Sequence, residues 1–208
     1  MQEITQEIIN AVRELFIVRD DCYPQQVEGA NEYKVIKQRF SDEIIKKHLQ
    51  GLITVGSFQI DPETNQVKWL CFDFDGELER ELEKARNLYN RLIEKGYNPL
   101  LEFSGRRGYH IWLFINPIDA SVAKKFSHEI AKDIEVSDIY PKQEKIEQTG
   151  FGGQVKIPIG IHRVSNKRSL LFKQDIMLDK EMSLDLLLEI NRQNRDRITI
   201  SNLIDFSK

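Results

Sequence analysis

The chain has 208 residues, 40% of them hydrophobic and 30% charged, with a formal net charge of −3. That length suits one compact domain or two small lobes sharing a core. No apolar run approaches the roughly 20 residues that cross a bilayer, and the acidic balance excludes nucleic-acid binding through overall charge, so any such site must be a local patch. Cys22 and Cys71 offer neither zinc spacing nor a disulfide framework. Met1-Gln2-Glu3-Ile4 lacks a signal-peptide profile, and a cytoplasmic location is the default expectation.

In chain order, Ile4, Ile8, Val12 and Leu15 recur at helical spacing and predict an amphipathic helix over 3–17. Residues 20–36, with Pro24, Gly29, Tyr23 and Tyr33, read as loop. Ser41-Asp42-Glu43 caps a second helix to about Leu49, stopped by Gly51. Leu52 to Ile60 has strand composition, and the turn Asp61 to Asn65 leads back into the next strand, a hairpin or a neighbouring pair. Glu77 to Lys95 is a charged helix closed by Gly96; its acid–base pairs mark a solvated face. Strands follow at 98–103 and 109–115, a helix at 120–134, and short strands at 136–140, 154–159 and 170–172. A last helix lies near 184–191, and the tail to Lys208 is not placed. From Val67 the order strand, helix, strand, strand, helix, strand predicts a helix-backed sheet, in an α/β or α+β arrangement.

Four stretches carry chemistry. In Lys68-Trp69-Leu70-Cys71-Phe72-Asp73-Phe74-Asp75-Gly76, alternation puts Asp73 and Asp75 on one face and Leu70, Phe72 and Phe74 on the other. Adjacent carboxylates at a strand end suit hard divalent cations; the bland reading is an acidic turn. In Ser104-Gly105-Arg106-Arg107-Gly108-Tyr109-His110, two glycines and two arginines suit an anion, with Ser104 and His110 flanking the turn; a solvated loop is the alternative. Asp138, in Asp138-Ile139-Tyr140-Pro141-Lys142-Gln143, offers a third carboxylate, with Glu135 and Glu144 as rivals. Between Gln148 and Gln174 there is no acid, while Lys156, Arg163, Lys167, Arg168 and Lys173 are basic, the composition of a positive surface for a triphosphate or a nucleic-acid backbone. An unbroken strand would place Lys156 and His162 on one face, although Pro158 interrupts it.

Together these stretches resemble the archaeo-eukaryotic primase superfamily: a hydrophobic Asp-x-Asp strand, a Ser-x-His-type element, then an acid on a short strand. The match is nearest the prim-pol domains of CRISPR loci and of primase–helicase conflict systems, through His48-Leu49-Gln50-Gly51, Tyr140-Pro141-Lys142-Gln143 and the run from Lys156-Ile157-Pro158 to His162. It covers roughly residues 30–173. The resemblance implies a primase core, an RRM-like sheet (approximately 67–208) packed with an N-terminal α/β unit (approximately 1–66), with the cleft between them as the site. It implies template-dependent nucleotidyl transfer from nucleoside triphosphates, making and extending primers on single-stranded DNA. Asp73, Asp75 and Asp138 would ligate two divalent ions, Mg²⁺ or Mn²⁺. Ser104, Arg106, His110, Lys156, His162 and Arg163 would hold the nucleotide's phosphates, with Arg107 the rival of Arg106. CRISPR adaptation or helicase proteins are the implied partners.

No Cys/His cluster exists for the zinc module of some relatives, and no helicase segment is present, so the expectation is a minimal enzyme or the catalytic part of a longer one. Two other classes compete. Asp73-Phe74-Asp75-Gly76-Glu77-Leu78 resembles the nucleophile motif of haloacid-dehalogenase phosphatases, but no Asp-Asp pair follows it; Asp20-Asp21 lies upstream. A non-catalytic RRM-like RNA-binding module would carry aromatics where Asp73 and Asp75 fall.

Overall fold

The structure is a computed structural model and describes residues 3–147 and 150–193. Thr5 caps helix α1 (Gln6–Phe16) by accepting the Ile8 amide, and Ile8, Val12 and Leu15 bury its apolar side. The 20–36 stretch, expected as loop, is a hairpin of β1 (Tyr23–Gln26) and β2 (Tyr33–Ile36). Each strand has only four residues, and β1 is Tyr-Pro-Gln-Gln, so neither is long enough to show an alternation that would announce it. Helix α2 (Asp42–Gln50) ends at Gly51 in the left-handed conformation.

The later elements are β3 (Gly56–Phe58), β4 (Gln66–Asp75), α3 (Leu78–Glu94), β5 (Leu100–Phe103), β6 (Gly108–Asp119), α4 (Ala120–Ile130), β7 (Asp138–Tyr140), β8 (Gln154–Lys156), β9 (Leu170–Lys173), β10 (Ile176–Met177) and α5 (Lys180–Gln193). The tail left unplaced by the sequence falls mostly at 194–208, outside the described residues.

Six strands form one sheet in the order β10-β9-β5-β6-β4-β7, antiparallel at every pairing. Within it, β4-α3-β5-β6-α4-β7 forms the split βαβ arrangement, an α+β fold. The expected hairpin of β3 with β4 does not form. The Asp61 turn is there, its carboxylate accepting the Glu63 and Thr64 amides. However, β3 pairs with β8, Gly56 opposite Lys156, and the residues after β3 reach β4 through the Gln59 side-chain amide on the Trp69 carbonyl, 2.8 Å, and the Asp61 amide on the Gln66 carbonyl, 3.0 Å. This long-range partner ties the N-terminal elements to the far end of the chain.

Each face of the sheet has its own core. Leu70, Phe72, Phe74, Leu101, Ile111 and Leu113 pack against α3 and α4. Trp69, Cys71, Leu100, Trp112 and Phe114 pack against α1, α5 and the N-terminal elements. A register irregularity between Val67 and Trp69 explains why these two, two residues apart, lie in different cores. Phe16 at the end of α1 accepts hydrogen bonds at its carbonyl from the Trp69 indole, 2.9 Å, and the Ser57 hydroxyl, 2.7 Å, fixing the helix to this second face.

Candidate active site

The second face changes character along the strands. Cys71 sits opposite Trp112 and Tyr140, in the apolar core; one pleat further, Asp73 sits opposite His110 on one side and Asp138 on the other. Directly opposed residues of an antiparallel pair share a face, so the register alone brings Asp73, His110 and Asp138 together. Asp75 follows at the rim, opposite Gly108. Ser137 seals this end: its amide donates to the Asp73 carbonyl, 2.9 Å, and its hydroxyl accepts the Asp75 amide, 2.9 Å.

The rival acids point elsewhere. Glu135 pairs with Arg80, 3.1 Å, and Lys84, 3.0 Å, and Glu144 with Lys124, 3.6 Å. Each of the aligned carboxylates also meets a basic side chain. Arg107 holds Asp75 through two hydrogen bonds of 2.8 and 2.7 Å, Lys142 approaches Asp138 at 2.7 Å, and His110 Nε2 lies 3.6 Å from Asp73. Burial pushes the Asp73 carboxyl up, and Asp75 and Asp138 add to that against the opposing pull of His110. Among the described residues no three His, Cys, Asp or Glu side chains are ready-grouped around an ion position.

The Ser104–Gly108 turn joins β5 to β6 and closes through the Ser104 amide on the Gly108 carbonyl, 2.9 Å. Two of its residues must be glycine. Gly105 has φ +90°, with the Lys167 carbonyl 2.9 Å from where a Cβ would sit, and any side chain at Gly108 would collide with the Phe74 carbonyl. The turn thus packs on the 162–169 loop, where the Ser165 hydroxyl donates to the Gly105 carbonyl, 2.6 Å. Ser104 and Arg106 are half-buried. His162 is buried, and burial followed by the nearby charges of Lys156 and Arg106 pulls its pKa down to about 4.

Two of the expected phosphate-binding cations sit otherwise than the sequence suggested. Lys156 is buried with its ammonium on Glu102 Oε1, 3.1 Å, the Ser169 hydroxyl, 2.7 Å, and the Ile157 carbonyl, 3.3 Å, which accounts for its three donors. The Arg163 guanidinium turns to the N-terminal elements, donating to Thr54 Oγ1, 2.7 Å, and the Gly51 carbonyl, 2.8 Å. Arg168 likewise donates to the Leu49 carbonyl, 3.0 Å, and to that of Ile159. Much of the basic run therefore braces backbone instead of forming a positive surface. β8 stops at Lys156, so Lys156 and His162 are not on one strand as an unbroken run would have it.

The residue that sequence reasoning passed over is Glu102, fully buried behind His110. The signal was available: a lone acid between Leu101 and Phe103 in a short apolar strand, where a buried charge demands partners.

A profile of the archaeo-eukaryotic primase domain of TOTE conflict systems matches residues 7–200. No curated protein sequence matches the chain. Among solved structures, the polymerase domain of Mycobacterium tuberculosis ligase D in complex with DNA is similar at 14% identity, with 92% of this chain and 91% of that chain covered and a TM-score of 0.53. The catalytic domain of primase RepB' in complex with initiator DNA aligns at 10% identity over 91% of this chain and 96% of that chain, with a TM-score of 0.45. The sheet order, the acid–histidine–acid register and the family profile agree: this chain belongs to the archaeo-eukaryotic primase domain family of TOTE conflict systems.

Proposed function

We propose that the chain is a primase-polymerase, a template-dependent nucleotidyltransferase that makes and extends primers on single-stranded DNA from nucleoside triphosphates. The observation that carries this reading is the register Asp138–Asp73–His110 across β7, β4 and β6, with Asp75 at the rim. In it, Asp73, Asp75 and Asp138 hold two divalent ions, Mg²⁺ or Mn²⁺. The donor set fits such ions: all its ligands are hard oxygens, and Asp73, raised first by burial and further by Asp75 and Asp138, is a carboxylate that a cation would stabilise. Bound ions of this kind neutralise a triphosphate and promote attack by a primer's 3′-hydroxyl.

The protein's own groups do the rest. Asp73 and Asp138 are fixed by the strand ladder, so little reorganisation is needed at the moment of reaction. Ser104, Arg106, His110 and His162 meet the phosphates of the incoming nucleotide, and Arg106, half-buried with its charge beside His162, is a cation for them. Arg107 and Lys142 hold Asp75 and Asp138 until ions replace them. A non-catalytic RNA-binding face is disfavoured, because acids and not aromatics occupy the strand ends, and the antiparallel family fold leaves no support for the phosphatase alternative.

The decisive assay combines single-stranded DNA, labelled nucleotides and Mn²⁺ or Mg²⁺, with and without a primer. Extension together with new primers is the expected result. Extension alone reduces the reading to a polymerase, and neither product overturns it.

A further inference from the structure

Behind His110 lies a buried polar network, set against the apolar core of Trp112 and Leu100. Glu102 has no solvent exposure, and its Oε2 lies 2.9 Å from His110 Nδ1 and 2.8 Å from the Trp112 indole nitrogen. Its Oε1 takes the Lys156 ammonium at 3.1 Å, which Ser169 and the Ile157 carbonyl hold from the other side. Trp112 also braces the imidazole edge-on, ring centroids 6.0 Å apart at 87°. A buried ion pair is a poor stabiliser compared with apolar groups of the same shape. Packing alone does not account for a carboxylate and an ammonium set together in this core. What the pair does accomplish is geometric: with Nδ1 facing Glu102, the ring presents Nε2 to the Asp73 side, 3.6 Å from that carboxylate.

We propose that Glu102, anchored by Lys156 and Trp112, is a positioning residue that fixes the His110 imidazole so that Nε2 faces the incoming nucleotide's phosphates. Lys156 thereby acts through Glu102 and not on the triphosphate directly. This rests on the reading of His110 as a phosphate-binding group.

The test replaces both charges at once, Glu102→Leu with Lys156→Met, which removes the pair without leaving one member buried alone. Binding of an α,β-methylene deoxynucleoside triphosphate and of a single-stranded DNA oligonucleotide is measured by calorimetry, beside the melting temperature. The expected result is triphosphate binding weakened about tenfold, DNA binding within about twofold of the parent, and a melting temperature unchanged or raised. Added to His110→Ala, the paired change costs nothing further, because two residues acting as one unit are not additive. A triphosphate affinity unmoved by the paired change, or losses that add in the combined variant, overturns the positioning role. Should that pair fail to fold, Glu102→Met with Lys156→Leu removes the same two charges with different packing, with the same weakening expected and an unmoved affinity overturning the role. A parent chain that binds no triphosphate overturns the reading of the whole site; one that binds it equally well in these variants overturns this inference alone.

Discussion

The two faces of β4 are made by alternate residues of one ten-residue strand, and they meet opposite demands. Leu70, Phe72 and Phe74 have no exposure and continue apolar packing to the strand's end. On the other face Trp69 and Cys71 are equally buried, but the series breaks into Asp73 and Asp75. One face stays apolar under α3 and α4; the other turns from core to acid at Asp73. The rigid face thus holds the backbone ladder from behind, and the open face borrows that rigidity for three acids that repel one another. Stability and chemistry are separated by a single residue of register.

Neighbouring substitutions should separate them as sharply. Asp73→Ala is expected to lower primer extension by roughly 10³-fold with the melting temperature unchanged or slightly higher, because a half-buried carboxyl whose pKa is raised does not stabilise the fold at neutral pH. Phe72→Ala, one residue away, is expected to cost about 3–5 kcal/mol of stability by leaving a core cavity. Thermal unfolding and extension assays on both variants check the contrast; an Asp73 variant that loses fold and activity together breaks it.

The next effect is in acid. His48 is fully buried and neutral, accepting the Val55 amide at Nδ1 and placing Nε2 on the Ile157 and Pro158 carbonyls. Burial, then the charge of Lys156, pulls its pKa down to about 3. The unfolded chain takes up this proton near pH 6.5 and the native state does not. The stability His48 contributes is therefore complete above about pH 6.5 and is lost as pH falls towards 3. Over the first 2.5 units this amounts to about 3 kcal/mol. His162, lowered to about 4, acts in the same direction, while Asp73 and His110, both raised, oppose it. Unfolding followed from pH 7 to pH 4 should fall accordingly, and a flat profile would contradict a neutral buried His48.

Much of this arrangement is legible in the sequence, for identifiable reasons. Alternation around Asp73 assigns the two faces, helical spacing finds α1, α3 and α4, and Gly51 and Gly96 end their helices. What escapes depends on partners far along the chain. The hairpin of β1 and β2, four residues a strand, is too short for a periodic signature, and β3 takes β8 as partner across about a hundred residues. Linear counting of cations from Lys156 to Lys173 also misleads: it cannot see that Arg163 and Arg168 donate to the Gly51 and Leu49 carbonyls, or that Lys173 pairs with Glu189. Glu102 is missed because a single acid in a strand looks like a solvent-facing residue until the register sets it against His110.

The two arginines of the Ser104–Gly108 turn carry the comparison to its finest scale, since the sequence alone cannot rank them. Arg106 is half-buried beside His162, and Arg107 is exposed on Asp75. Arg106→Ala should raise the KM for nucleotide about tenfold, the value of one charge-assisted phosphate contact, and leave DNA affinity nearly unmoved. Arg107→Ala should act on the metal instead. Its guanidinium occupies both Asp75 oxygens, so an arriving ion has to displace it, and removing it lowers the Mn²⁺ concentration that supports half-maximal extension. An exposed pair of this kind contributes little, so the shift is expected at no more than about fivefold, and it should shrink as salt screens the pair in the parent. A metal titration at two ionic strengths reads both features. If Arg107→Ala instead raises the nucleotide KM as Arg106→Ala does, both arginines grip phosphate and the division between them is wrong.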